Sequence, residues 1–416
     1  MDAALTLHSI RYRLNSMGKK IKVASLFVMY AAVFCAQVNA ANIESVRIEG
    51  LKRTKERVVL PHFAKFIGIE ENALNTDEVW AAVIDTGTLD PVAVTVTNAV
   101  LVIQVKEKWA IFPLPLVIWN SSSGWTFGGA FMDSNAFGIQ DQAVIVGMGS
   151  SGAKNLMFMG MYNHRAQRLV QKTFPGWRLM GSYAKSENKY VDQNNHAYHV
   201  SENQGYMLGA AVNYPITELF STEFGFDFRH NLTSGEFDFV LTPSASFRLT
   251  SWDGYFLNET SAAFNYEAHL QTALGFTNIF KLDAAVNVPL AKRLRFLAKT
   301  GLGLTINGNT RTQLSSSTAR VNILPSDFVA DNYAGAVAGL EVALWPTKFG
   351  TWAFFTTYQA VFSKGQVLRG VQFDHGVTAA VQLYLKTVTI PAVGGGVSYN
   401  VDKDYFQGFF SIGMSF

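Results

Sequence analysis

The chain has 416 residues, of which 49% are apolar and only 16% charged, with 34 Lys+Arg against 31 Asp+Glu, 34 glycines and a single cysteine. Disorder needs low hydrophobicity and high charge, a disulfide-stapled mini-protein needs many cysteines, and a nucleic-acid binder needs basic runs, so none of these classes fits. An aromatic content of 13% (32 Phe, 15 Tyr, 8 Trp) alongside abundant glycine points instead to many strands with apolar outer faces.

Taken in chain order, Gly18-Lys19-Lys20-Ile21-Lys22 is a basic patch, Val23 to Ala36 is apolar, and Val38-Asn39-Ala40 supplies small residues before a cleavage point. Residues 1–40 therefore read as a secretory signal peptide, with Met17 as an alternative start. Cys35 lies inside it, so the processed, exported chain carries no cysteine.

Residues 41–108 have the pattern of a small α+β domain of order β-α-α-β-β. Ser45 to Gly50 alternates as a strand. Thr54 is placed to cap a helix carrying Val59, Phe63 and Phe66, which Pro61 should kink. A second helix starts at Asn75, with Glu78 reaching back to the cap, buries Val79, Trp80, Val83 and Ile84, and stops at Gly87. Two strands follow, one on Val92, Val94 and Val96 and one on Leu101, Ile103 and Val105.

From residue 109 to 416 no apolar run is long enough for a spanning helix, and the longest uncharged stretch, Ala110 to Met132, is broken by Pro113, Pro115 and Ser121-Ser122-Ser123. An exported, aromatic chain of this kind is either a large soluble all-β protein or a closed transmembrane β-barrel. The alternation favours the barrel. Phe224, Phe226 and Phe228 face away from Glu223, Asp227 and Arg229. Phe280, Leu282, Ala284, Val286 and Val288 likewise face away from Lys281, Asp283 and Asn287. A similar dyad sets Val377, Val381, Leu383 and Leu385 against Thr378, Gln382 and Lys386. Sixteen such segments can be placed, from 110–119, 124–134 and 141–150 to 375–386, 390–401 and 405–416, an even number as closure demands. In the last, Phe406, Phe410, Ile412, Met414 and Phe416 share one face, and the strand resembles the C-terminal recognition strand of bacterial outer-membrane barrels, with Ser411 where a glycine is usual.

The segments Val46-Arg-Ile-Glu-Gly50-Leu-Lys-Arg-Thr54, Thr86-Gly87-Thr-Leu-Asp-Pro-Val92 and Leu101-Val-Ile-Gln-Val105-Lys-Glu107 resemble a POTRA (polypeptide-transport-associated) domain. Gly128-Gly-Ala-Phe-Met-Asp-Ser-Asn135-Ala-Phe-Gly138 is similar to the second strand and first periplasmic turn of the bacterial surface-antigen barrels. Together they resemble the outer-membrane assembly and secretion factors of the BamA, TamA and two-partner-secretion type. That resemblance implies sixteen strands, one POTRA domain in the periplasm, and a long sixth extracellular loop folded into the lumen. It also implies insertion or translocation of polypeptide or lipid at the outer membrane, without ATP. The partners it implies are outer-membrane lipid and a client or periplasmic polypeptide added as a strand along Val92, Val94 and Val96.

The family's Arg-Gly-aromatic triplet is not present near 310–332. Arg369-Gly370-Val371 falls in the seventh loop, and the acidic partner and glycine expected on the strand after the next turn are Thr357 and Gln359. Glu341 does match a family position. Charges expected to face the lumen are Glu223, Asp227, Arg229, Glu267, Lys281, Asp283, Lys299, Glu341 and Lys386, of both signs, which can line a pore or pair across it. Gly147-Met-Gly149-Ser-Ser-Gly152 matches a dinucleotide string without a following helix, and His196 and His199 lack metal-ligand company, so neither an enzyme nor a cofactor is expected. The reading is thus a barrel active in assembly or translocation. A passive channel whose POTRA domain only docks a partner is the alternative.

Overall fold

The computed structural model describes residues 42–121, 124–150, 155–168, 173–191, 197–252, 256–272, 275–308, 314–325, 328–348, 350–365, 370–385 and 391–412. The expected signal peptide, Arg369, Lys386, Met414 and Phe416 lie outside these described residues. The described chain divides into two compact units, one of residues 42–51 and 59–106, the other of residues 52–58 and 107–412.

In the first unit the order is β1 (Ser45–Glu49), α1 (Glu56–Phe63), α2 (Thr76–Asp85), β2 (Leu89–Thr97) and β3 (Val100–Glu107). The sheet order is β1-β3-β2, with β1 parallel to β3, so β2 is an edge. Asn98 and Ala99, both with positive φ, make the tight turn that folds β2 back on β3. Alternation sends Leu101, Ile103 and Val105 into the core, where they meet Val59, Phe63 and Val83. Val94 and Val96 pack against that core, whereas Val92 is exposed.

Asn75 caps α2 through its Oδ1, which accepts the Asp77 N–H at 3.0 Å, and its side-chain amide donates to Glu78, which reaches back to the cap. One local expectation is corrected. The buried stripe of α2 is Val79, Ala82 and Val83, while Trp80 and Ile84 are 41% and 53% exposed. A short helix against a small sheet can bury only positions three and four apart, and Trp80 and Ile84 each lie one step, about 100° of rotation, past that line.

The second unit is a closed antiparallel barrel of sixteen strands. They are β4 (Ile111–Asn120), β5 (Gly124–Ala136), β6 (Asp141–Ser150), β7 (Leu156–His164), β8 (Gly176–Val191), β9 (Ala197–Pro215), β10 (Phe220–Asn231) and β11 (Glu236–Trp252), followed by β12 (Leu257–Gln271), β13 (Gly275–Ala291), β14 (Leu294–Ile306), β15 (Asn332–Pro346), β16 (Gly350–Lys364), β17 (Gln372–Leu385), β18 (Pro391–Asn400) and β19 (Tyr405–Ile412). Each expected segment has its strand. His199 lies within β9 rather than in a loop.

The outer face is apolar and aromatic, with Phe224, Phe226, Phe264, Leu302, Leu304, Val377 and Phe406 all exposed. Neighbouring rings meet across strands, as in Tyr266–Phe280 at 4.9 Å and Phe362–Phe373 at 4.8 Å between centroids. No helix among the described residues is long and apolar enough to cross a membrane. Closure of the cylinder by β19 on β4 removes the sheet's open edges.

Candidate functional site

The segment between β14 and β15 enters the barrel. It carries a short ladder pairing Leu314–Ser315 with Val329–Ala330 and a 3₁₀ turn at Ser316–Ala319. The wall is bare where this loop lies. A Cβ at Gly301 would overlap the Thr318 carbonyl, one at Gly303 the Leu314 side chain, and one at Gly335 the Ala319 carbonyl. These glycines therefore serve close approach of a second chain segment. Leu314, Val321, Ile323, Leu324 and Phe328 are buried there against Ile279, Tyr333, Val337 and Val361.

Polar contacts fix the loop. Gln359 Oε1 on β16 accepts the Asn322 N–H at 2.7 Å, and its Nε2 donates to Thr357 Oγ1 (3.1 Å) and Thr378 Oγ1 (2.8 Å). Asn400 Nδ2 on β18 donates to the Ile323 carbonyl at 3.2 Å. Arg320 reaches Asp283 at 2.8 Å, and the Lys403 ammonium lies 3.1 Å from Asp374 and 5.0 Å from the centre of the Phe328 ring. Of the two residues that depart from the expected pattern, Gln359 thus holds the loop's main chain with an uncharged group, and Thr357 steadies the Gln359 amide.

Glu341 has not lost its cation. It is fully buried beside Arg295, which is opposite it in the β14–β15 register. Arg295 Nε and Nη2 lie 2.6 and 2.5 Å from Glu341 Oε2, and Nη2 donates to the Tyr384 hydroxyl at 2.9 Å. Gln382 and Tyr384 on β17 donate to Glu341 Oε1 at 2.6 and 2.8 Å. The guanidinium also stacks 4.3 Å over the buried Phe256 ring. The cation that neutralises Glu341 therefore comes from the barrel wall and not from the inner loop. A buried pair is tolerable only when its remaining hydrogen-bonding capacity is met, which these neighbours do.

Among the described residues, the other expected lumen charges lie on the inner face, mostly in pairs. Glu223 meets Arg178 at 2.6 Å, Asp227 meets Arg229 at 3.2 Å, and Glu267 meets Lys281 at 2.6 Å and His269 at 3.3 Å. His269 in turn is 2.9 Å from Asp238. Lys299 is half-buried on the inward face of β14 between Arg295 and Gly301. A cavity of about 190 Å³ lined by Arg178, Glu223, Asp227 and Asn265 lies on this wall. Mixed, paired charge of this kind is no selectivity filter. No group of three or more metal-ligating side chains occurs among the described residues.

A second cluster surrounds the turn after β5. Arg53 forms a two-toothed ion pair with Asp133, Asn135 Nδ2 donates to Thr54 Oγ1 at 2.9 Å, and the Lys55 N–H donates to the Gly138 carbonyl at 2.8 Å. Gly138 has φ of 72°, and a Cβ there would overlap the Arg53 carbonyl, so the Asn-x-x-Gly turn is a packing requirement. Thr54 thereby serves this cluster and lies two residues ahead of α1 instead of at its cap.

The Glu107 carboxylate accepts the N–H groups of Thr54 (2.6 Å), Lys52 (2.9 Å) and Arg53 (2.9 Å). Burial works to raise its pKa, but these amides and the Thr54 hydroxyl outweigh it and hold the carboxyl below the ordinary glutamate value. A depressed acid stabilises fully above its unfolded pKa of about 4.3 and loses that contribution as pH falls through the lower folded value. Glu107→Gln is therefore expected to speed amide exchange at Lys52–Thr54 at neutral pH. The difference from the unsubstituted chain should close once pH is below the folded value. An equal difference at both ends of the range would assign the effect to packing.

Comparisons with known proteins bear on the fold. No family model matches the chain, and no curated protein matches its sequence. Among solved structures it is similar to BamA from Haemophilus ducreyi lacking POTRA domains 1-3, with TM-score 0.60 and 15% identity over 89% of this chain and 84% of that one. It is also similar to CdiB from Acinetobacter baumannii (TM-score 0.60, 9% identity, 90% and 74% covered) and CdiB from Escherichia coli (TM-score 0.62, 10% identity, 90% and 76% covered). At such identities the likeness is one of fold: a sixteen-stranded closed barrel of the kind seen in BamA and CdiB.

Proposed function

We propose that this chain is a bacterial outer-membrane protein that assists assembly or translocation of polypeptide, with lipid as a further cargo class. In this reading the first unit is a POTRA domain in the periplasm, and the open edge of β2 at Val92, Val94 and Val96 receives a client or partner segment as an added strand. The observation that carries the proposal is the loop between β14 and β15, seated inside the barrel by Gln359 and Asn400. A passive pore of sixteen strands would be expected to keep its lumen clear. The aromatic outer face and the fold shared with BamA and CdiB support the same placement.

The test uses cells producing the full chain with a photoreactive residue at Val92, or at Asp90 on the same edge. Crosslinks to defined outer-membrane or secreted polypeptides during their export are expected, together with a fall in those polypeptides when the protein is depleted. The competing reading, a channel, predicts large steady currents in planar bilayers that persist when residues 42–106 are removed. Such currents, without client crosslinks, would overturn the proposal.

A further inference from the structure

Charge is segregated along the first unit. From Phe66 to Val105 the chain carries six carboxylates, Glu70, Glu71, Asp77, Glu78, Asp85 and Asp90, and no Lys, Arg or His. All six are exposed. This stretch holds α2 and β2, which pack against each other and share a core through Val79, Ala82, Val83 and Leu89. Since β2 is the edge of the sheet, α2 lies along the border of the unit.

One flank of α2 is apolar as well as acidic. At about 100° per residue, Asp77, Trp80 and Ile84 fall within about 60° of one another and roughly opposite Ala82. Ala82 is buried, and Asp85, near it in rotation, lies within electrostatic reach of His62 on α1. The flank of Trp80 and Ile84 is therefore the one turned from α1, toward the free edge of β2. Three residues, Thr86 to Thr88, join α2 to β2, which sets Ile84 at the end where Asp90 and the exposed Val92 lie. Exposed apolar side chains gathered beside an unpaired strand edge mark an interaction surface.

We propose that this flank selects a polypeptide segment that is both apolar and positively charged. The segment is an extended strand along β2, with Lys or Arg reaching Asp77 and Asp90 and an apolar side chain against Trp80 and Ile84. The inference rests on the reading that the β2 edge receives an added strand, and it names the chemistry of that strand. Main-chain bonds to an edge carry little sequence information, so the choice among segments falls to the side chains beside it. The indole face attracts a cation as well as covering apolar surface. With no base in the stretch, the field of its carboxylates repels acidic segments and anionic lipid and draws in cationic chains. A second copy of the chain is the rival occupant, since residues 42–65 carry six Lys and Arg against three carboxylates. That contact would join unlike surfaces, which propagates an open row unless the rotation closes a ring.

The test uses the full chain in uncharged detergent micelles and three fluorescent peptides in which valine alternates with lysine, threonine or glutamate. The lysine peptide is expected to bind about tenfold more tightly than the threonine peptide, and the glutamate peptide least, with the spread narrowing as salt screens the exposed charges. Asp77→Lys, at an exposed position, should remove most of the lysine preference, and Asp77→Lys with Asp90→Lys should invert it. Should the double variant fail to fold, the single one decides. Trp80→Ala should weaken the lysine peptide several-fold. Equal binding of the three peptides, or a lysine preference untouched by Asp77→Lys, overturns the selectivity, while client crosslinks at Val92 would leave strand addition standing. No peptide binding together with no client crosslinks overturns both. Self-association of the purified chain that Asp77→Lys abolishes, in place of peptide binding, assigns the flank to a second copy and overturns the inference.

Discussion

Replacing residues 314–330 by a short Gly-Ser linker is expected to raise single-channel conductance in planar bilayers by about tenfold, toward that of a water-filled sixteen-stranded barrel. The wall behind the loop is lined by Gly301, Gly303 and Gly335, which leave space when the loop is gone. The cost to stability is also predictable. Leu314, Val321, Ile323, Leu324 and Phe328 are nearly fully buried, and each such side chain contributes about 1.5–3 kcal/mol as an upper estimate. The barrel's own ladder remains, so the shortened chain should migrate as a folded band on unheated SDS gels, with a lower melting point. Gln359→Ala should give an intermediate, flickering conductance, because the Asn322 N–H loses its acceptor while the apolar contacts persist. Unchanged conductance after loop removal would mean that wall side chains, not the loop, close the lumen.

Arg295→Met is expected to be the most destabilising single substitution in the barrel wall. It leaves Glu341 charged at 0% exposure with only the neutral donors Gln382 and Tyr384. Breaking a buried pair from one side costs about 3–5 kcal/mol. Glu341→Leu alone strands the guanidinium in the same way, although its stacking on Phe256 softens the loss. The double substitution should recover most of the stability, because two apolar side chains of similar bulk need no compensation. Denaturant midpoints of the four proteins in vesicles make the cycle. Additive losses in the double variant would show that the two residues act separately, against the geometry.

The sixteen strands were legible because an apolar outer face and a polar interior force strict alternation, and stretches such as Phe224 to Arg229 obey it. The short N-terminal helices were legible in position but less so in rotation. Trp80 and Ile84 are apolar, and nothing local distinguishes them from Val79 and Val83; the direction of the sheet decides. The interior was read as charges of both signs that line a pore or pair across it, with no pair assigned, since partnership depends on register. Arg295 lies 46 residues from Glu341 and becomes its neighbour only once β14 and β15 are aligned. Its signal was present as a single arginine at an inward position of the otherwise apolar start of β14, Leu294-Arg295-Phe296-Leu297. Gln359 and Thr357 read as losses against a family pattern, and the contact of Gln359 to Asn322 requires the loop's path, which no periodicity encodes.

Because the buried cation for Glu341 belongs to the wall, withdrawal of the inner loop leaves that ion pair intact. What it gives up is three main-chain contacts, to Gln359, Asn400 and Tyr333, each worth about 1 kcal/mol net, an exposed Arg320–Asp283 pair of little value, the Lys403 contact at Phe328, and its greasy surface. The energy of that movement is therefore dominated by a term that weakens on cooling and is nearly indifferent to ionic strength. A plug seated in this way should be loosened by chill and by apolar competitors long before it responds to salt.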